Sequence, residues 1–266
     1  MPIDNNIKVL RPAEIRALIR EGKWARSTAG IALGFAQANL VILPKKHAFD
    51  FFLFCQRNPK PCPLLEVLEP GNYEPSFLAA GADVRTDVPR YNVYVKGKLK
   101  TSPRNVKEFW RKDFVTFFLG CSFSFEEAMI RSGIPVRHIE EEKNVPMYVT
   151  NIECRPAGIF RGPMVVTMRP IPPAKIVKVV QLTSRYAFVH GGPIHIGDPN
   201  IVGIKNLGKP DFGDSVTIEK GEVPVFWACG VTPQAIVMAA KPEICITHAP
   251  GHMFISDILN EELATT

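Results

Sequence analysis

The chain has 266 residues, 46% of them apolar and 22% charged, which suits one large core or a core with a small satellite and excludes a disordered protein. The net charge is +6, yet the basic residues are scattered, the densest groups being Lys96, Lys98 and Lys100, then Arg104, Lys107, Arg111 and Lys112. Without a zinc-finger spacing or a basic arm, that charge argues against a nucleic-acid partner and fits a small anionic or zwitterionic substrate. Six cysteines with no CxxC pair do not make a disulfide scaffold. No basic-then-apolar leader opens the sequence, and no apolar run approaches the roughly 20 residues of a membrane span. The expectation is a soluble, cytoplasmic protein without a membrane partner; a homo-oligomer is left open.

Pro12 to Arg20 predicts a short helix, with Pro12 tolerated in its first turn and Ile15, Leu18 and Ile19 on one apolar face. Thr28–Asn39, rich in small residues and glycine, predicts a close-packed loop. Residues 46–57 suit a buried helix stopped by Pro59, and the prolines that follow force an extended path. Val84 and then 91–95, with a turn at Lys96-Gly97-Lys98, predict short strands and a hairpin. A helical stretch is expected from Val106 into FVTFFLG. Ser124 with Glu127 reads as a capping box that starts a helix ending at Gly133.

Residues 164–168 read as a strand and 173–185 as a helix with Ile176, Val177, Val179 and Val180 on its buried side. Two strands are expected within 213–227, around a Lys220-Gly221 turn. The last third predicts strand 223–230, helix 232–240 and strand 244–249, joined as a parallel, right-handed crossover. The fold class expected is α/β: a layered core with a mixed, partly parallel sheet. A smaller two-layer α+β lobe is expected in the middle of a single unit spanning 1–266, with no linker to mark its boundary.

Three segments carry candidate chemistry. In 117–151, Cys121 and Ser122 precede a helix whose free N–H groups favour anions and thiolates. Arg137, His138, Asn144, Tyr148 and Asn151 follow in a polar, proline-interrupted stretch. Arg137 suits a two-pronged grip on a carboxylate, or an ordinary ion pair with Glu140, Glu141 or Glu142. In 184–199, His190 and His195 flank a Gly-Gly-Pro turn, which allows acid–base work or satisfied structural rings; a third metal ligand at a recognisable spacing is lacking.

The third segment pairs two strand ends, Cys229-Gly230 and His248 with Gly251 and His252, which open α/β sheets would bring together at a ligand. Thr232 as cap, Gly230 as a clear approach and Gln234 as an amide donor would make an anion-binding helix end. Cys229 beside His248 or His252 would serve a cysteine-dependent amide hydrolase, and a non-catalytic carboxylate-binding protein is the remaining alternative. GxGxxG, GxxxxGK[ST] and GxSxG are all absent, and no cofactor or metal is called for.

Longer stretches show more. FCQRNPKPCPLLEV (54–67), ADVRTDVPRYNVY (82–94), FLGCSFSFEEA (118–128), GIPVRHIE (133–140) and NVPMYVTNIEC (144–154) continue into QLTSRYAFVHGGPIHIGDP (181–199), PVFWACGVTPQA (224–235) and ITHAPGHM (246–253). In this order and over nearly the whole chain they resemble the D-glutamate cyclase family, whose bacterial members carry a hydro-lyase label. The resemblance implies a carbon–oxygen lyase acting on a small carboxylate-bearing substrate; a characterised relative converts D-glutamate to 5-oxo-D-proline with loss of water. It assigns no catalytic residues.

Such a reaction needs a cationic clamp, donors for the oxygen that becomes charged, and a proton carrier. Arg137, Arg169 and Arg185 are the expected clamps. His190, His195, His248 and His252 are the expected proton carriers, at least two of them in one cleft.

Overall fold

The structure, a computed structural model, describes residues 7–264; residues 1–6, on which the leader reading rests, lie outside the described residues. Helix α1 (Pro12–Arg20) forms as expected and buries Ile15 and Ile19, while Arg16 on the same side forks onto Asp257 at 3.0 and 2.9 Å. The expected loop at 28–39 ends early, because Phe35–Pro44 is strand β1, buried at every position after Phe35. A central strand covered on both faces shows no alternation, and its small Ala36 and Ala38 hid it.

Helix α2 (Lys45–Arg57) packs Phe51 edge-on to Phe117 and Phe160, with ring centroids 4.9 and 5.2 Å apart. The proline-rich path leads to β2 (Leu64–Val67), and β3 (Tyr91–Val95) and β4 (Lys98–Thr101) make the expected hairpin. Val84 lies in a turn. The helix expected from Val106 is instead a short turn at Lys107–Phe109 followed by β5 (Phe114–Gly120), buried throughout. A short apolar run reads equally as buried helix or buried strand until a partner strand decides.

Helix α3 (Phe123–Arg131) starts one residue before Ser124, so no capping box forms: Ser124 Oγ accepts the Gln37 N–H at 3.3 Å and Glu127 pairs with Arg131. The short α4 (Arg137–Glu140), β6 (Met147–Glu153) and β7 (Pro163–Ile171) follow. In α5 (Ile176–Ser184) Val179 faces the core, whereas Val177 is 69% exposed rather than buried. Of the two strands expected in 213–227 only one forms: β8 is His195–Ile196 and β9 is Val223–Ala228. Helix α6 (Val231–Ala240), β10 (Cys245–His248) and β11 (Phe254–Leu259) complete the chain.

The strands make two sheets: β2-β5-β1-β10-β3-β4, with β11 also on β1, and β6-β7-β9-β8. Every strand pairing among the described residues is antiparallel, so the α/β class holds but the partly parallel sheet does not. The final crossover fails for a specific reason: β9 lies in one sheet and β10 in the other. Helix α6 buries Val231, Thr232, Pro233, Gln234, Ile236 and Val237, too many sides for a helix resting on one sheet face. It passes between the sheets, with Ile236 and Val237 in one core with Val41 and Phe117. Among the described residues no helix is long and apolar enough to cross a membrane.

One irregularity builds the site. β10 and β11 run along the same edge of β1, Thr247 opposite Val41 and Phe254 opposite Ala38. Between them 249–253 leave the ladder and loop outward. β1 is therefore left without a backbone partner at Asn39 and Leu40 on that edge.

Candidate active site

Three strand ends meet at this break: β5 at Gly120, β9 at Ala228 and β10 at His248. They enclose a small cavity of about 30 Å³ lined by Asn39, Cys121, Ser122, Thr167, Cys229 and His248. Asn144, Pro250 and Gly251 line this cavity and also a cleft of about 500 Å³, whose walls include Trp24, Arg26, His138, Glu142, Lys143 and His252. Of the sequence candidates, Cys121, Ser122, Asn144, Cys229, Gly230, His248 and His252 are thus gathered at one place.

A buried ion pair lies under the cavity. Arg169 is fully buried and pairs with Glu126 through both Nε and Nη2; its Nη1 donates to Thr167 Oγ1 at 3.0 Å and its Nη2 to Ser122 Oγ at 3.1 Å. His138 Nε2 stands 3.2 Å from the same Glu126 oxygen. Burial alone would raise the Glu126 carboxyl, but His138 and Arg169 outweigh it and hold it down at about 2. With its charge balanced inside the protein, Arg169 acts on the cavity only through the two hydroxyls it holds. It donates to Glu126, Thr167 and Ser122, so the carboxylate clamp expected of it does not form.

The helix end expected to bind an anion is already occupied. Val231 N–H points to Cys229 Sγ at 3.4 Å, Thr232 N–H donates to Cys229 O at 2.9 Å, and Pro233 has no donor. Thr232 does not cap: its Oγ1 accepts Val165 N–H at 3.0 Å and donates to Val165 O at 3.1 Å, tying α6 to β7. A Cβ on Gly230 would lie 1.9 Å from Asn39 Nδ2, so the glycine admits the Asn39 amide rather than a ligand. That amide donates to Gly120 O at 2.8 Å. Gln234 packs its amide against the His248 ring, 3.0 and 3.1 Å from the two nitrogens.

His248 supplies what the broken ladder lacks: its Nδ1 accepts the Leu40 N–H at 3.0 Å. The ring proton is therefore on Nε2, and burial depresses the ring to about 3, so it is neutral. Both thiols sit where a strand turns into a helix. Burial pushes Cys229 up to about 11 and Cys121 upward as well, against the pull of the Val231 and Phe123 N–H groups. Neither is poised as a thiolate.

The remaining candidates line neither space. His190 is buried, donates Nδ1 to Lys60 O at 2.8 Å and is depressed by burial to about 4; His195 holds Asp198 O at 2.7 Å and stacks on Phe226. Of the four histidines, His248 lines the inner cavity and His252 the cleft, while the 190–195 turn lines neither. His252 rests its Nδ1 2.9 Å from Pro250 O, and burial lowers its pKa. Arg137 is engaged by Glu140, Glu219 and Glu222 and by Thr217 O, which fastens the 217–222 segment. Tyr148 donates to Leu207 O at 2.7 Å, Asn151 to Ile201 O at 3.3 Å, and Arg185 is exposed at the end of α5.

Sequence reasoning missed Asn39, Thr167 and Glu126. The signal was a polar residue inside an apolar run, Asn39 between Ala38 and Leu40 and Thr167 between Val166 and Met168. A polar side chain that is buried must find partners there.

Two antiparallel sheets whose strand ends enclose a small cavity define the architecture, that of an α/β protein. The chain belongs to the D-glutamate cyclase family, whose model matches residues 115–257. It is 62% identical over 264 residues to the protein named "Putative hydro-lyase" of Thermoanaerobacter pseudethanolicus, covering 99% of this chain and 100% of that one. A Geobacillus kaustophilus protein of the same name is 61% identical (94% and 95% covered), and the YcsI protein of Bacillus subtilis, also so named, 60% (96% and 99%). A solved nitrogen repressor-like protein of Methanococcus jannaschii aligns over 92% of this chain and 97% of its own at a TM-score of 0.39 and 11% identity, too distant to carry an argument.

Proposed function

We propose that the cleft and its inner cavity carry out a hydro-lyase reaction on a small carboxylate-bearing substrate, and specifically the closure of D-glutamate to 5-oxo-D-proline with loss of water. The observation that carries this reading is the convergence of three strand ends on one cavity that shares Asn144, Pro250 and Gly251 with a cleft of about 500 Å³, a volume suited to a small ligand. The cleft walls hold both signs of charge, Arg26 and Lys143 against Glu142, as a zwitterion requires. In this reading they orient substrate carboxylate and amine beside the inner cavity. The cysteine hydrolase reading is disfavoured by Cys229, which burial keeps protonated.

The test is to incubate the protein with D-glutamate, L-glutamate and a set of hydroxy acids and follow loss of one water by mass spectrometry. D-glutamate is expected to close to the five-membered lactam. If no acid loses water and 5-oxo-D-proline is not opened in reverse, the reading is wrong.

A further inference from the structure

Arg169 presents donors only, so a hydroxyl facing it can do nothing but accept. Ser122 Oγ and Thr167 Oγ1 both accept from it, at 3.1 and 3.0 Å, and neither donates to any other protein atom among the described residues. Each hydroxyl has one proton left. Both side chains line the inner cavity and both are buried, so the protons have only that cavity in which to find an acceptor. The arrangement is rigid, because the guanidinium that pins the hydroxyls is itself locked by Glu126.

We infer that Ser122 and Thr167, held by Arg169, form a seat for a single neutral oxygen, and that in the reaction proposed above this is the oxygen that departs as water. Size supports it: about 30 Å³ is room for a water and too little for a carboxylate group with its carbon chain. Charge supports it too. Glu126 balances Arg169 below the seat, so the cavity offers neutral donors, suited to an oxygen that leaves uncharged rather than to an anion that stays.

The step balances without a co-reactant. The substrate nitrogen forms a bond to the γ-carboxyl carbon as one C–O bond breaks. Two of the three ammonium protons leave on that oxygen as water, the third stays on the lactam nitrogen, and net charge is unchanged. Ser122 and Thr167 touch the departing oxygen. Arg169 and Glu126 act through them and are positioning residues.

This inference rests on the hydro-lyase reading, and two measurements separate their failures. With D-glutamate as substrate, Ser122→Ala and Thr167→Val are each expected to lower kcat about a hundredfold with KM little changed, as loss of one such donor does elsewhere. Thr167→Ser, which keeps the hydroxyl, is expected to recover most of the loss, a recovery that a purely structural role would not require. Independently of turnover, a high-resolution crystal structure is expected to show one ordered water within about 3 Å of both hydroxyl oxygens, displaced in Thr167→Val.

A wild-type protein that dehydrates no acid but holds this water refutes the leaving-group role together with the reading, and retains the seat. Turnover that survives both substitutions at the wild-type kcat, or a dry cavity in the wild-type crystal, overturns the inference and leaves the hydro-lyase reading standing.

Discussion

Glu126→Gln removes the negative partner of a fully buried arginine while leaving shape and volume nearly unchanged. Breaking a buried pair from one side strands the other charge, at a cost of about 3–5 kcal/mol. A second route gives a similar figure: the carboxyl sits at about 2 in the fold against 4.5 as its ordinary value. At about 1.4 kcal/mol per pKa unit, that separation stabilises the fold by about 3 kcal/mol.

The direction with pH follows from the depressed value. The contribution is complete above pH 4.5 and is lost as pH falls through about 2. Thermal unfolding at neutral pH should place the variant about 6–20 °C lower in Tm, at about 2–4 °C per kcal/mol for a chain of this size. The gap between wild type and variant should then narrow as the pH is taken from 5 towards 3, because the unfolded wild-type carboxyl takes up a proton that the folded one, held at about 2, does not. A gap that stays constant with pH, or a variant as stable as wild type at pH 7, would refute the role of the Glu126–Arg169 pair.

His248→Ala should cost about 1–3 kcal/mol by orphaning the Leu40 N–H, and His248→Asn, whose amide oxygen can accept it, should recover most of that in urea unfolding. The neutral ring's contribution is complete above pH 6.5 and lost as pH falls toward 3, so wild type should weaken over that window more than His248→Asn does. Gly230→Ala forces the Asn39 amide off Gly120 O and should destabilise by about 2–5 kcal/mol; with Asn39→Ala added, a double-mutant cycle should show coupling of about 1–3 kcal/mol, and simple additivity would contradict the packing described. With its thiol at about 11, Cys229 is ionised in only about one molecule in ten thousand at pH 7, so iodoacetamide should label it slowly by mass spectrometry; rapid stoichiometric labelling would restore the cysteine hydrolase.

Several elements could be read from local sequence because local chemistry decides them. Helix α1 has a proline-led start and one apolar face, α2 stops against Pro59, and the β3–β4 hairpin turns at Lys96-Gly97, where both residues take positive φ. The candidate segments around Cys121, Cys229 and His248 could be named as well, since glycine and polar residues at the ends of apolar runs mark strand termini near a ligand.

Partnership could not be read in this way. β1 and β5 are buried at nearly every position, on both faces, and only their pairing, Asn39 opposite Leu119 and Val41 opposite Phe117, makes them strands rather than loop and helix. Nothing in 223–249 says that β9 and β10 belong to different sheets; that choice is made by the many-sided burial of α6. The functions assigned to individual side chains changed for the same reason. Arg137 and Arg169 are alike in sequence as carboxylate clamps, but three glutamates claim the first, and Glu126 with two hydroxyls the second. Residue types and strand ends are properties of the chain, whereas which donors remain free to meet a substrate depends on every long-range neighbour, and only the tertiary structure supplies those.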